Sequence, residues 1–494
     1  MGVFTLAMIN VSAIVSLRGM PAESTYGLSS VFYYIFAAVF FLVPVSLVAA
    51  ELTTGWPQKG GVYRWVGEAF GKKWGFLAIW LQWIESTIWF PTVLTFAAVS
   101  LAFMGPGQRW DEALAANKWY VLIVVLCVYW AATLLNLRGM KTSAGVTKWG
   151  TIIGTIIPGA ILILLGLGYW AGGNPILLDM SWDKLVPDMS NFNNLVLAAS
   201  IFLFYAGMEM SAVHVKDVNN PGRNYPLAIL ISAIITVLIF VLGTLAIGFI
   251  IPNSQINLVQ SLLITYDSYF SFFGLGWMNW ILALALAVGV LAQVTAWVGG
   301  PSKGLYQVGL AGNLPPVMQK RNKNNVQMGI LLIQGGIVTL LSIMFVIMPS
   351  VQSAYQIISQ LTIILYLIMY MLMFASGIYL RYREPNTPRT FRIPGGRTFG
   401  MWVVGGLGFL ASLAAFLVSF IPPNQITVGS STMYILLLVV GTFIFAGIPF
   451  IIHAMAKPSW KRPVDPEDAF EPFGWEKNND SHSAATPSHS ISHE

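Results

Sequence analysis

An all-α polytopic membrane protein with twelve transmembrane helices is the fold class the sequence predicts, and three observations lead to it. Of 494 residues, 56 % are hydrophobic and 9 % charged, and the mean hydropathy is +0.70; soluble domains carry about 25 % charged residues. Twelve stretches reach the roughly 20 apolar residues needed to cross a bilayer core, at 3–20, 28–52, 75–103, 119–137, 145–171, 193–214, 226–251, 274–299, 327–348, 354–381, 399–421 and 431–456. With the N-terminus inside, alternate loops and the tail hold 22 of the 26 Lys and Arg residues, and the outer loops hold only Arg109, Lys118 and Lys184. That asymmetry is what the positive-inside rule asks of an even number of spans with both termini cytoplasmic.

Taken in order, segment 3–20 is interrupted by Asn10, Ser12, Ser16 and Arg18. It has neither the basic start nor the small-residue cleavage site of a signal peptide, so it is expected to remain as a span. Segment 28–52 ends at Glu51, expected at the inner interface near Lys59 or Arg64. Segment 75–103 carries Glu85 among Trp80, Trp83 and Trp89; an internal packing pair and a functional role are both open to it. Segment 119–137 holds Cys127, the single cysteine, which excludes an internal disulfide and any CxxC metal or redox site. The stretch 1–171 forms a first group of five spans and 193–381 a second, followed by two more spans over 399–456. Residues 457–494 are polar and rich in Pro, Ser and acids, and read as a mostly disordered cytoplasmic tail. The five histidines form no cluster, so no metal or cofactor is expected, and anionic lipid headgroups account for the +6 charge without nucleic acid.

The informative residues are those that lipid would not tolerate. Arg18 stands in Ser16-Leu17-Arg18-Gly19-Met20-Pro21, and Glu209 in Tyr205-Ala206-Gly207-Met208-Glu209-Met210-Ser211. An intramembrane charge costs about 3 kcal/mol or more unless it meets a partner or a cavity. Glycine and proline beside it mark places where a membrane helix breaks, and non-helical backbone at that depth lines a site or is buried in protein. The first and sixth spans open the two groups of five, the position at which inverted-repeat transporters break one helix per repeat to build a midplane site. Exposed helix ends there suit a zwitterionic amino acid, and Arg18 adds a cation for a second carboxylate. Two ordinary kinks with an Arg18–Glu209 ion pair are the plain alternative. A channel would want a selectivity loop or a ring of like residues, and a membrane-embedded enzyme a nucleophile with its base or an HExxH metal pair; neither pattern is present.

At these residues the chain resembles the amino acid–polyamine–organocation superfamily, and within it the bacterial glutamate/γ-aminobutyrate antiporters of acid resistance. The resemblance runs to about residue 456. It is carried by Pro44–Glu51, Gly60–Val66, Trp74-Gly75-Phe76, Gly207-Met208-Glu209, Asn220–Pro226, Gly300–Gly304 and Arg389–Gly396. It implies a LeuT-like fold of two inverted five-helix repeats, with broken helices 1 and 6, plus two peripheral helices. It also implies exchange of amino acids, or of an amino acid for its decarboxylation product, across a bacterial inner membrane. The resemblance matches Glu209 to the carboxylate in the unwound part of span 6, and Tyr366 and Tyr370, at i and i+4 of span 10, to a tyrosine pair near the substrate path. Together with the breaks read from the residues themselves, the expected substrate-binding residues are Ser16, Arg18, Gly19, Met20, Gly207, Met208, Glu209, Gln293, Tyr366 and Tyr370. In span 1 those antiporters resemble Val-Tyr-Glu-Tyr-Pro where this chain has Leu17-Arg18-Gly19-Met20-Pro21. In span 8 they carry a glutamate where this chain has Gln293.

The expectation is therefore a secondary amino acid antiporter, monomeric or homodimeric, that exchanges glutamate for γ-aminobutyrate or another amino acid by alternating access. A neutral or aromatic amino acid exchanged for its amine, or proton- or ion-coupled import, is the alternative. Glu209 is expected to accept a proton or gate the path. A free imidazole titrates near pH 6.5, so His214, and His482, His489 and His493 in a tail that would meet the basic inner face as a pH-sensitive gate, are the candidate gating and pH-responsive groups.

Overall fold

The computed structural model describes residues 2–105, 107–187, 196–211, 218–423, 429–461 and 469–476, and among them every regular element is helical. In chain order the helices are α1 (Val3–Ile14), α2 (Met20–Ser24), α3 (Ser29–Gly55), α4 (Val62–Phe70), α5 (Lys72–Ala102) and α6 (Gln108–Ala115). Then come α7 (Lys118–Leu137), α8 (Gly145–Ala171), α9 (Ser200–Tyr205), α10 (Met208–Ser211), α11 (Arg223–Ile250) and α12 (Ser261–Phe272). The last are α13 (Gly276–Leu310), α14 (Met328–Ile347), α15 (Val351–Arg383), α16 (Phe399–Val418) and α17 (Ser431–Ala454). Ten of these described helices are long and apolar enough to cross a membrane.

The other two expected spans are in pieces. After α1 the backbone turns extended at Val15 (ψ 120°) and Ser16 (φ −139°, ψ 126°), makes one 3-10 turn over Leu17–Gly19, and resumes as α2. After α9, Ala206 is extended (ψ 150°) and Gly207 takes φ +110°, a left-handed conformation costly for any residue with a Cβ. The two breaks meet. A Cβ built on Gly19 would lie 1.9 Å from the Phe204 ring, so only glycine admits that ring.

Helix α5 is the least apolar of the ten, with hydropathy 1.4, and 94 % of its most apolar stretch is buried; α17 has hydropathy 2.7 with 17 % buried. The contrast follows from what each touches, since a helix sheathed in protein can carry polar side chains where a lipid-facing one cannot. Buried Gln82, Glu85, Ser86, Thr87, Thr92, Thr95 and Ser100 are the polar load of α5. Helices α13 and α15 pack along it. Within α3 and α8 one turn widens to π geometry, at Ala38–Leu42 and Ile152–Ile156, in each case two residues before a proline, Pro44 or Pro158. Proline offers no N–H and its ring crowds the preceding turn, which is the physical cause of such a widening.

Two expectations change at the Lys72 end of the bundle. Glu51 pairs with Arg381, not with Lys59 or Arg64. Arg381 donates Nε to Glu51 Oε1 and Nη2 to Oε2 (2.6 Å), and gives further hydrogen bonds to the carbonyls of Ile393, Gly396 and Arg397. The sequence separation of 330 residues hides that contact from any local reading. Arg64 instead bridges Glu68 (2.8 Å) and donates to the carbonyls of Glu471 (2.7 Å) and Pro472 (3.1 Å). Residues 469–476 thus depart from the expected disorder. Phe473 is fully buried, Gly474 N–H donates to Glu68, the Trp475 indole donates to the Gly67 carbonyl, and Glu476 pairs with Lys72. Aromatic residues in a polar tail are the signal for this docking, because Phe470, Phe473 and Trp475 supply an apolar face.

Candidate functional site

Between the two breaks and α5 lies a cavity of about 30 Å³, lined by Ile14, Ser16, Arg18, Glu85, Trp89, Leu203, Phe204, Ala206, Gln293, Trp297 and Tyr366. It is smaller than an amino acid, so a substrate can occupy it only when the walls move. Each wall follows from local sequence. Extended Ser16 lets Arg18 turn inward, while Glu85, Trp89 and Thr92 recur at i, i+4 and i+7 on one face of α5.

Arg18 is 4 % exposed. Its Nη1 donates to Tyr355 Oη (3.0 Å) and Thr92 Oγ1 (3.4 Å), and its guanidinium lies over the rings of Trp89 (5.3 Å) and Phe204 (5.7 Å). No ion pair to Arg18 occurs among the described residues, and its Nε has no hydrogen-bond partner. Glu209 is in the opposite condition. It accepts from Gln82 Nε2 (3.0 Å), Tyr366 Oη (2.5 Å), Tyr370 Oη (2.6 Å) and the Gly207 N–H (3.2 Å). The two tyrosine rings stack at 4.6 Å, and the Gly207 N–H also donates to Tyr370 Oη (2.9 Å). Four donors satisfy this carboxylate without a cation, so the Arg18–Glu209 pair is not formed.

The structure brings Ser16, Arg18, Gln293 and Tyr366 to one cavity. Tyr370 lines a small adjoining pocket with Phe41 and Phe202. Gly19 lies under Phe204, and Met20 is buried against Gly243. Gly207 forms the turn that presents Glu209, and Met208 is buried beside it. His214, His482, His489 and His493 lie outside the described residues. Sequence reasoning named Trp89 only as a neighbour of Glu85 and passed over Thr92, Trp297, Phe204 and Tyr355. The i, i+4, i+7 spacing from Glu85 could have placed Trp89 and Thr92 at the site, and Tyr355 precedes Tyr366 by three helical turns on α15.

A second cavity, about 200 Å³, opens at the Ala102 end and is lined in part by Asp111, Asp267 and Asn279. Burial pushes the Asp111 carboxyl above its ordinary range; the Gly107 N–H opposes this, and the charges of Asp267 and Glu112 add to it. Asn279 donates its side-chain amide to Asp267.

The model of the amino acid permease family matches residues 1–445 of the chain. An uncharacterized transporter of Legionella pneumophila is 40 % identical over 451 residues, which covers 91 % of this chain and 96 % of the relative. A glutamate/gamma-aminobutyrate antiporter of Lactococcus lactis is 32 % identical over 457 residues, covering 92 % and 90 %. A probable agmatine/putrescine antiporter from the same species is 25 % identical over 394 residues, covering 79 % and 81 %.

Proposed function

The chain belongs to the amino acid permease family, and on that premise we propose that it is an antiporter which exchanges an acidic amino acid, glutamate, for γ-aminobutyrate or another amino acid across a bacterial inner membrane. The observation that carries the reading is Arg18. A buried guanidinium with no ion-pair partner among the described residues costs several kcal/mol, and a substrate carboxylate entering the cavity would offset that cost. Arginine suits the task because its planar fork takes a carboxylate in bidentate fashion. The contracted cavity supports alternating access, in which the site opens to one side at a time. The relative of matching length named for glutamate and γ-aminobutyrate supports the substrate pair.

Proteoliposomes preloaded with glutamate, γ-aminobutyrate or buffer, and offered radiolabelled glutamate, test it. Antiport requires that uptake depend on an internal amino acid, and Arg18→Ala should lower the exchange at least tenfold. Full exchange by that variant would sink the role given to Arg18, and equal uptake into buffer-loaded vesicles would mean import without exchange.

A further inference from the structure

We propose that Glu85 is a second specificity-determining residue of the central cavity, holding the ammonium group of the substrate whose carboxylate Arg18 takes. The inference rests on the reading of that cavity as the substrate site.

Glu85 is 2 % exposed, lies on the most enclosed of the ten long apolar helices described and lines the cavity with Arg18. Its Oε1 has no hydrogen-bond partner. Arg18 and Glu85 do not pair with one another among the described residues, although both face the same small space. The cavity thus has an unpartnered guanidinium donor, Arg18 Nε, and an unpartnered carboxyl oxygen, Glu85 Oε1. Both conditions are costly in a membrane interior and both are relieved by one ligand carrying the two opposite charges.

Glu209, the carboxylate that the sequence brings forward, is the weaker candidate for the ammonium. Its four hydrogen bonds occupy it, and an ammonium would have to displace a tyrosine hydroxyl or Gln82 to reach it. Glu85 offers free lone pairs without that exchange. The Trp297 ring, 5.7 Å from Trp89, lines the same cavity and adds an aromatic wall, while the Arg18 guanidinium already lies over Trp89.

Arg18 and Glu85 line one cavity without pairing among the described residues, so a ligand that carries both a carboxylate and an ammonium can lie between them. Glutamate read by its γ-carboxylate and ammonium, and γ-aminobutyrate read by its only carboxylate and ammonium, present the same skeleton, because decarboxylation removes only the α-carboxylate. One pair of side chains would therefore recognise both exchange partners.

The test is a thermal-shift titration of the full-length protein in lipid nanodiscs with glutamate, γ-aminobutyrate and glutarate, which keeps the carboxylates and lacks the ammonium. Bound ligand raises the unfolding temperature whether or not transport survives. Glu85→Gln should weaken γ-aminobutyrate and glutamate at least tenfold and leave glutarate unchanged or tighter, while Arg18→Gln should weaken all three. Glu85→Asp, which keeps the charge with a shorter reach, should fall between wild type and Glu85→Gln, and stands in if the Gln variant does not fold. Wild-type affinity of a folded Glu85 variant for γ-aminobutyrate and glutamate overturns the proposal alone. A wild-type protein that binds none of the three ligands overturns the acidic-substrate reading and the role of Glu85 with it.

Discussion

Arg18 and Glu209 stand on the two broken spans and do not pair: Arg18 is held by Tyr355 and Thr92, and Glu209 by Gln82, Tyr366, Tyr370 and the Gly207 N–H. Each charge has its own polar cradle. The positive one is left short of an anion, and the negative one is fully dressed with donors.

Tyr370→Phe should be more disruptive than Tyr366→Phe. Both hydroxyls donate to Glu209, but Tyr370 also accepts from the Gly207 N–H, so its loss also loosens the left-handed turn. A hydrogen bond to a charged group is worth about 1.5–3 kcal/mol. Thermal unfolding of the two variants in detergent gives the order, and equal midpoints would show that Gly207 does not depend on the hydroxyl.

Glu51→Gln should destabilise by about 3–5 kcal/mol, because it leaves the buried Arg381 without its anion. Arg381→Met should cost no less, since the carbonyls of Ile393, Gly396 and Arg397 lose their donor as well. Thermal midpoints of the purified variants measure both. A midpoint within a degree of wild type for either would show that the ion pair is dispensable.

Gly19→Ala places a methyl group on the Phe204 ring and should cost about 1–3 kcal/mol as an overpacked contact. Trimming the ring relieves it, so Gly19→Ala with Phe204→Leu should recover activity that the single alanine variant loses. Exchange assays on the single and double variants decide the point; absence of recovery would put the need for glycine in the backbone instead of the ring.

The pH dependence of stability should carry a signature of Asp111. Its carboxyl titrates above the unperturbed 3.8 because burial disfavours the charged form. The folded state therefore holds this proton more tightly than the unfolded chain, and the carboxyl costs stability in full above its folded value. That cost fades as pH falls towards 3.8. Asp111→Asn should raise the unfolding temperature at pH 7.5, and the gain should shrink on acidification. A gain that is independent of pH would assign it to packing.

The sequence made the breaks at Ser16–Gly19 and Ala206-Gly207 legible, since glycine and a charge coincide where apolar runs should be uninterrupted, with Pro21 beside the first and Ser211 after the second. It could not show which partners the charges choose. Arg18 reaches Tyr355 across 337 positions and Arg381 reaches Glu51 across 330, and no periodicity encodes contacts of that range. The docking of residues 469–476 escaped for another reason: average composition marks the tail as disordered, while three aromatic rings close together decide its local packing.

The polar load of α5 bears on how the protein is made. Helices α13 and α15, which pack along that helix, and Glu209, which Gln82 reaches, leave the ribosome long after α5 does. During that interval the nascent helix carries a face that bare lipid solvates poorly. Its retention in the membrane then depends on chaperoning by the insertion machinery or on temporary cover from neighbours already made. A chain truncated before α13 should be the form that quality-control proteases remove fastest.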